Sequence, residues 1–217
     1  MRISCAILTG MMFFLAANFV AAEEAETPQW VSLFNGENLD GWKIADYYGT
    51  GKVAVEDGII RLGLGMMITG ITYDSEKEFP KTDFEIELES QRTTGTDFFA
   101  TVTLPVGDGF CSFVTGGWGG SIFGLSSING YDASENSYTK CLVSENDKWY
   151  KIRIRVTEKR ILCWVDDEEL INCERDEDKK FTTRFEVRTS QPMGIANYCC
   201  DSEVKNVRYR MLREDEQ

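Results

Sequence analysis

The sequence contains no histidine. Histidine is the residue most often used as a general base and the commonest ligand of zinc and copper, so Ser-His-Asp catalysis and histidine-based metal sites are both excluded. Any acid–base chemistry must then depend on carboxylates, and the chain has 36 aspartates and glutamates.

Positive charge is also scarce. Only 23 lysines and arginines oppose the acidic residues, and the formal net charge at pH 7 is −13. Nucleic-acid phosphates require a basic protein surface, so we expect no nucleic-acid partner. Solubility is a sufficient explanation for the acidity itself.

Long apolar runs are lacking except near the N-terminus. Arg2 precedes an apolar stretch over residues 7–20, and Ala22 is followed at once by Glu23. This order is typical of a cleavable secretion signal, and the run is shorter than the roughly 20 residues of a spanning helix. We therefore predict a signal peptide at 1–22 and one domain at 23–217, with its core at about 30–212. The mature protein is expected to be extracytoplasmic, periplasmic or secreted, and free of the membrane.

Six cysteines remain after the predicted cleavage, and their spacing matches no zinc module. An even number in an oxidising compartment favours structural disulfides or buried thiols, with fifteen formal pairings. No EF-hand loop is present, and the spacing of Asp40, Asp132 and Asn136 specifies no calcium site. We expect no metal and no cofactor.

Strand patterns run through the whole of the expected domain, without convincing helical periodicity. Residues 82–91 and 149–157 alternate apolar and charged side chains, which is typical of half-buried strands. Asp57-Gly58 separates two β-branched runs and predicts a hairpin, and Asp166-Asp167 predicts another. Roughly a dozen such strands indicate an all-β sandwich of two antiparallel sheets.

Several short motifs resemble, in their order along the chain, the 3-keto-disaccharide hydrolase domain family. Residues 30–42 contain WVSLFNG and NLDGW, and VEDG, TDFEI, KWYKIR and WVDD follow in sequence. The resemblance covers nearly all of the mature chain. It implies a concanavalin A-like jelly-roll and, for some members, hydrolysis of glycosides oxidised at the sugar C3 position.

The middle of the chain, residues 96–136, departs from the usual pattern of that family. The chain resembles a divergent subgroup of exported planctomycete-type proteins, and no catalytic residue carries over by motif. Candidate residues must therefore be chosen by their chemistry.

Trp118 is one such candidate, because four glycines surround it and leave its ring open to a stacked sugar. The alternative is a core tryptophan at a tight bend. Tyr131 and Asn136 belong to a loop rich in hydrogen-bonding side chains, for which the alternative is ordinary turn chemistry. Arg92 is a candidate electrophilic partner.

The candidate catalytic carboxylates are Asp97, Asp108, Asp132 and Glu135, with Glu135 expected to be the general acid. Asp97 and Asp108 flank a strand pattern and are candidates to face the same cleft as Trp118. The acidic residues of the 82–91 strand are interpreted instead as a solvated outer face, matched by the basic residues of the 149–157 strand.

Three functions remain open on this evidence. The first is a hydrolase of 3-keto-glycosides or disaccharides, for which elimination is a second route because a ketone acidifies the neighbouring C–H bond. The second is a non-catalytic carbohydrate-binding module, and in both cases the partner is a carbohydrate or glycoside. The third is a structural envelope protein that contacts other proteins.

The first testable prediction concerns export. When the full chain is expressed in a secreting bacterial host, the exported protein should begin at Glu23, because Ala22 supplies the small residue that signal peptidase requires. N-terminal sequencing and intact mass measure this directly. An Ala22→Arg variant should accumulate uncleaved, and an exported protein that still begins at Met1 would contradict the prediction.

Overall fold

The computed structural model describes residues 29–74 and 78–217; the predicted signal peptide lies outside this part. Fifteen strands are present in the described residues. The first eight are β1 (Val31–Ser32), β2 (Trp42–Ile44), β3 (Val53–Glu56), β4 (Ile59–Leu62), β5 (Ile68–Tyr73), β6 (Phe84–Gly95), β7 (Thr101–Val106) and β8 (Gly109–Gly116). The others are β9 (Ile122–Ser126), β10 (Thr139–Cys141), β11 (Tyr150–Val156), β12 (Arg160–Val165), β13 (Glu168–Glu174), β14 (Gly194–Tyr198) and β15 (Cys200–Met211).

The strands form two antiparallel sheets, which confirms the predicted jelly-roll sandwich. The first sheet has the order β13-β12-β11-β6-β15-β4-β3, with β1 added beside β15. The second has the order β10-β9-β8-β7-β14-β5-β2. Helix is confined to a single turn at Gly117–Gly120 and to 3₁₀ helices at Phe185–Ser190 and Glu214–Glu216, among the residues described. Not one of these is long and apolar enough to cross a membrane.

The core fills the space between the two sheets. Phe84, Ile86 and Leu88 on β6 are completely buried there, as their alternation predicts. From the second sheet, Phe113 and Leu125 belong to the same cluster. Each such side chain stabilises the fold by about 1.5–3 kcal/mol relative to exposure.

The outer face of the first sheet carries interlocked rows of charge. On β6, Glu85, Glu87 and Glu89 lie opposite Arg155, Arg153 and Lys151 of β11 and opposite Arg210, Arg208 and Lys205 of β15. The pairing with β11 is as predicted, but the prediction that this face is solvated was wrong for its centre. Glu85 is only 1% exposed, because long basic side chains cover it from both neighbouring strands.

Ion pairs compensate the burial of these glutamates. Nε of Arg155 donates to Oε2 of Glu85 at 2.7 Å, and Arg210 lies 3.3 Å from Oε1 on the other side. For Glu87, burial alone would raise the pKa, but hydrogen bonds from Lys151 and Arg208 lower it overall. The sheet therefore holds the Glu87 carboxylate in the charged form.

The six cysteines within the described residues are unpaired thiols, and Cys111, Cys163, Cys173 and Cys200 are buried. Val165 pairs with Glu168 across the tight Asp166-Asp167 turn, as predicted, and Cys163 lies opposite Ile171 rather than Cys173. Burial raises the pKa of Cys111 to about 12. Such thiols behave as small apolar core residues.

The second sheet has an unusual outer face. Small and hydroxyl-bearing residues occupy its centre, among them Gly70, Thr101, Ser112, Gly124 and Ala196. The segment 181–193 crosses part of this face, where Oγ1 of Thr72 donates to the carbonyl of Thr189 at 2.9 Å and the hydroxyls of Tyr47 and Ser190 lie 2.5 Å apart. The uncovered part of the face forms a cavity.

The second prediction concerns the charged rows of the first sheet. A Glu85→Gln substitution should lower the free energy of unfolding by about 3 kcal/mol, since it removes the buried carboxylate that Arg155 and Arg210 share and leaves Glu216 as their remaining counter-charge. Urea unfolding followed by tryptophan fluorescence measures the change. Glu89→Gln is the matched control, because Glu89 pairs with Lys205 at the more exposed end of the row, and we expect it to cost less than about 1 kcal/mol. Equal costs would contradict the argument.

Candidate functional site

A cavity of about 270 Å³ opens on the outer face of the second sheet. Its floor comes from neighbouring strands and contains Thr101, Ser112 and Ser126. Its walls come from five separate parts of the chain: the start of β5 with the preceding Met67, the β6–β7 loop, the β8–β9 turn, the segment 181–193 and the end of β14. Two larger but more open depressions lie elsewhere on the surface and contain fewer convergent side chains.

Trp118 stands at the wall of this cavity and is 40% exposed. Its turn has positive φ at Gly116 (73°), Trp118 (50°), Gly119 (79°) and Gly120 (94°), a conformation that glycine adopts at little cost. At Gly120 a Cβ would lie 2.9 Å from the carbonyl oxygen of Thr96. The glycines therefore allow the turn that presents the indole at the surface. Trp118 is not a core residue, so the alternative of a core tryptophan is contradicted.

Asp97 faces the same cavity and holds this turn in place. Its Oδ1 accepts the N–H of Phe98 at 2.8 Å, and its Oδ2 accepts the N–H of Gly119 at 3.1 Å. Phe98 in turn packs against Tyr198, with ring centroids 5.4 Å apart. Asp97 and Trp118, which sequence chemistry singled out separately, are thus brought together.

Arg92 does not line the cavity. It is 4% exposed, and its guanidinium donates to the carbonyl of Asp97 at 3.0 Å, the carbonyl of Ser144 at 2.9 Å and Oδ1 of Asn146 at 2.6 Å. These bonds support the loop that carries Asp97, so the geometry makes Arg92 a positioning residue instead of a substrate contact.

The arginine that does line the cavity is Arg184, which sequence reasoning missed. Its Nη1 donates to Oδ2 of Asp132 at 2.6 Å, while Nε and Nη2 donate to the two oxygens of Glu186 at 3.3 and 3.1 Å. Its Cζ lies 5.9 Å from the centre of the Trp118 ring. The only sequence signal was an Arg-x-Glu pair in a segment without strand alternation.

Glu186 also lines the cavity and was likewise missed. The hydrogen bond from Arg184 lowers the pKa of Glu186, and the same contact raises the pKa of Arg184. Both groups are therefore charged over the working range of pH. Together with Asp97 they leave the cavity wall with one cation and two carboxylates.

Asp132 lies directly behind Arg184. Its Oδ1 accepts hydrogen bonds from the hydroxyls of Ser127 at 3.1 Å and Ser126 at 3.4 Å, and its Oδ2 accepts the bond from Arg184. It therefore reaches the cavity through these partners and is not itself part of the lining. Its geometry suits orientation of Arg184.

Glu135, Asn136 and Tyr131 lie beside the cavity and not in its lining. Oε2 of Glu135 accepts the backbone N–H of Asp132 at 3.2 Å, and Nδ2 of Asn136 donates to the carbonyls of Leu125 and Asp132 at 2.8 and 2.7 Å. These contacts close a local turn, which matches the alternative of ordinary turn chemistry for this loop. Tyr131 is exposed.

Of the two carboxylates that flank β7, only Asp97 lines the cavity of Trp118, so the structure contradicts the candidacy of Asp108 for that cleft. Asp108 lies in the turn after β7, whereas Asp97 precedes that strand, and six residues of extended chain span about 20 Å. There Asp108 lines a separate depression with Arg175 and Lys179.

Within residues 29–74 and 78–217, no group of three or more cysteines and carboxylates is placed to hold a metal ion.

The family model for the 3-keto-alpha-glucoside-1,2-lyase-like domain matches residues 29–213. The chain belongs to this family. The resemblance seen in the order of the motifs is thereby confirmed, and membership indicates a carbohydrate-related function. No curated protein matches the sequence significantly.

Solved structures show the same fold at low identity. A candidate glycosyl hydrolase from Parabacteroides distasonis has a TM-score of 0.55 at 18% identity, over 85% of this chain and 94% of that chain. Domain 4 of AbnA, a GH43 extracellular arabinanase from Geobacillus stearothermophilus solved with arabinotriose, has a TM-score of 0.54 at 14% identity, over 84% and 90%. The Crh5 transglycosylase in complex with NAG has a TM-score of 0.54 at 13% identity, over 86% and 84%.

The Arg184–Glu186 contact makes the third prediction. An Arg184→Gln substitution should raise the pKa of Glu186 back towards the ordinary glutamate value, because the hydrogen bond that stabilises the carboxylate is lost. Carboxyl NMR titration measures this shift. In the wild type, stability from the pair should be present above the ordinary pKa and be lost as the pH falls through the lowered value. Arg188→Gln, in the same segment, should leave the pKa of Glu186 unchanged; a Glu186 pKa that is the same in both variants would contradict the assignment.

Proposed function

We propose that the protein binds a 3-keto-glycoside in the Trp118 cavity and cleaves its glycosidic bond. The observation that carries the proposal is the convergence of a carboxylate, Asp97, and an oriented arginine, Arg184, beside an exposed indole in one pocket. Membership of the 3-keto-alpha-glucoside-1,2-lyase-like family supports the same chemistry. The signal pattern adds export from the cytoplasm to the proposal.

The size of the cavity suits one sugar ring. Its volume of about 270 Å³ lies just below the roughly 300–1,000 Å³ of pockets that hold drug-sized ligands. Trp118 offers an apolar ring for the C–H face of a sugar, and polar groups surround it. This combination of one aromatic platform with several hydrogen-bonding groups is what a polyhydroxy ligand requires.

Arg184 is suited to act on the ketone. A guanidinium has five N–H donors, and three of those in Arg184 are engaged by Asp132 and Glu186. The two that remain can donate to a carbonyl oxygen of the ligand and stabilise the negative charge that an enolate develops. Because its pKa is lowered, Glu186 is a poor proton acceptor and serves to orient Arg184.

Asp97 is the proposed base. It removes the proton from C2 of the 3-keto sugar, the C–H electron pair becomes the C1–C2 double bond, and the C1–O bond breaks with its electrons on the leaving oxygen. The proton returns to that oxygen, which departs as an alcohol and leaves an enone. Addition of water across the new double bond would then complete a net hydrolysis, so elimination and hydrolysis share the first step.

The fourth prediction tests this assignment with paired panels of ordinary and 3-keto glycosides. Asp97→Asn should lower kcat on the keto panel by about 100-fold or more, since it removes the general base. Release of the alcohol and the ultraviolet absorbance of the enone measure the reaction. Glu135→Gln should keep activity within about twofold of the wild type, because Glu135 lies outside the cavity.

Opposite results would reassign the chemistry. An inactive Glu135→Gln with an active Asp97→Asn would restore Glu135 as the general acid. Equal cleavage of both panels would show that the ketone is not required and would contradict elimination.

A second candidate is saccharide binding without cleavage. One observation favours it: the carboxylate oxygens of Asp97 and Glu186 all accept hydrogen bonds from the protein itself, which leaves them less available to a substrate proton. In that case the wild type would bind members of both panels and turn over neither.

A further inference from the structure

The floor of the Trp118 cavity is made of hydroxyl groups at the centre of a sheet. Thr101 on β7, Ser112 on β8 and Ser126 on β9 project from the outer face of three adjacent strands and line the cavity. All three are almost fully buried, with Thr101 2% exposed. The opposite faces of the same strands carry apolar core residues such as Val102, Phe113 and Leu125.

Two of the three floor residues have protein partners. The hydroxyl of Ser112 lies 2.9 Å from that of Thr103, and the hydroxyl of Ser126 lies 3.4 Å from Oδ1 of Asp132. The contact of Ser126 connects the floor to the carboxylate behind Arg184.

Thr101 differs from both. Its Oγ1 finds no hydrogen-bond partner among the residues that the structure describes. Buried hydroxyls nearly always have a partner, because an unpaired one keeps the cost of its lost hydration. A hydroxyl that is buried, unpaired and located in the floor of a binding cavity therefore points to a partner outside the protein.

We propose that Thr101 is a substrate-recognition residue, which hydrogen-bonds a hydroxyl of the saccharide at the base of the cavity. This inference rests on the proposed function and deepens it. A threonine hydroxyl can both donate and accept, so it suits a sugar hydroxyl, which does the same.

The position of Thr101 makes the contact selective. Its strand pairs with β8 on one side and β14 on the other, with Thr101 itself opposite Ala196, so its backbone is held on both sides. Trp118 provides an apolar contact at the cavity wall, and Thr101 provides a polar contact at the base. Together they determine which edge of the sugar ring enters first, and a sugar without the matching hydroxyl should bind more weakly.

Thr101→Val and Thr103→Val form a matched pair for the fifth prediction. Both replace a buried threonine of β7 with a side chain of nearly the same shape. Thr101→Val should leave the urea midpoint unchanged or raised, since no protein hydrogen bond is lost, and should weaken saccharide binding about tenfold. Thr103→Val should lower the urea midpoint, because Ser112 loses its partner, and should leave saccharide binding within about twofold.

The probes are methyl α-glucopyranoside, its monodeoxy analogues and its 3-keto derivative, with binding measured by calorimetry. The keto sugar is measured in the Asp97→Asn background so that it is not consumed. One deoxy analogue should bind the wild type about tenfold more weakly than the parent sugar does. The Thr101→Val variant should bind that analogue and the parent sugar with equal affinity. That analogue identifies the hydroxyl that Thr101 contacts. Thr101→Ser retains the hydroxyl and should retain most of the affinity, even if the valine variant folds poorly.

Two results would overturn the inference, and they are distinguishable. If the wild type binds saccharides and Thr101→Val binds all of them equally well, Thr101 holds only water, and the proposed function stands without it. If the wild type binds neither the glycosides nor the keto sugar, the proposed function fails and the inference fails with it.

Discussion

Strand β6 is the element on which both the fold and the site depend. It pairs with β11 along one edge and β15 along the other, so its glutamates are enclosed by basic side chains on both sides and its apolar face forms the middle of the core. Near its end β6 carries Arg92, which donates hydrogen bonds to the carbonyls of Asp97 and Ser144. These bonds hold the loop beyond the strand in place. Asp97 then holds the turn that presents Trp118.

This chain of contacts gives the site a rigid frame. The Trp118 turn is rich in glycine and would be mobile if left to its own conformational preferences. The Asp97 carboxylate restrains it by accepting the N–H of Gly119, and the backbone carbonyl of Asp97 is itself held by the buried Arg92. Binding surfaces that are held in place before the ligand arrives lose less conformational entropy on binding. Arg184 is restrained in the same way, between Asp132 and Glu186.

The two sheets accommodate buried polar side chains in different ways. On the first sheet, the carboxylates are neutralised by neighbouring cations, and their arrangement serves stability. On the second, hydroxyls and small residues replace apolar side chains over the centre of the outer face, which forgoes hydrophobic stabilisation that a covering layer would have supplied. That face contains the cavity and the unpaired hydroxyl of Thr101, and its composition favours recognition over packing.

Much of the fold could be predicted from the sequence, because the period of two in a strand is local information. The alternation of Phe84, Ile86 and Leu88 with glutamates identified a strand and its core face. The Asp166-Asp167 turn predicted a hairpin, whose register shifts by one residue at a bulge between Cys163 and Trp164. The order of the motifs identified the family. Local pattern alone did not show that Glu85 is buried, because the covering arginines come from two other strands.

The residues of the candidate site were harder to predict from the sequence, for a related reason. Alternation tells which side chains share a face, but it does not tell what covers that face or which loops meet above it. The sequence pattern did not distinguish Asp97 from Asp108, yet they lie beyond opposite ends of β7. Arg92 was chosen from the sequence for its chemistry, whereas Arg184 lies in a segment without strand periodicity and was missed. The sequence by itself determined the strands, the family and the absence of histidine; only the tertiary structure decided which carboxylates share a cavity, because its walls come from segments far apart in the chain.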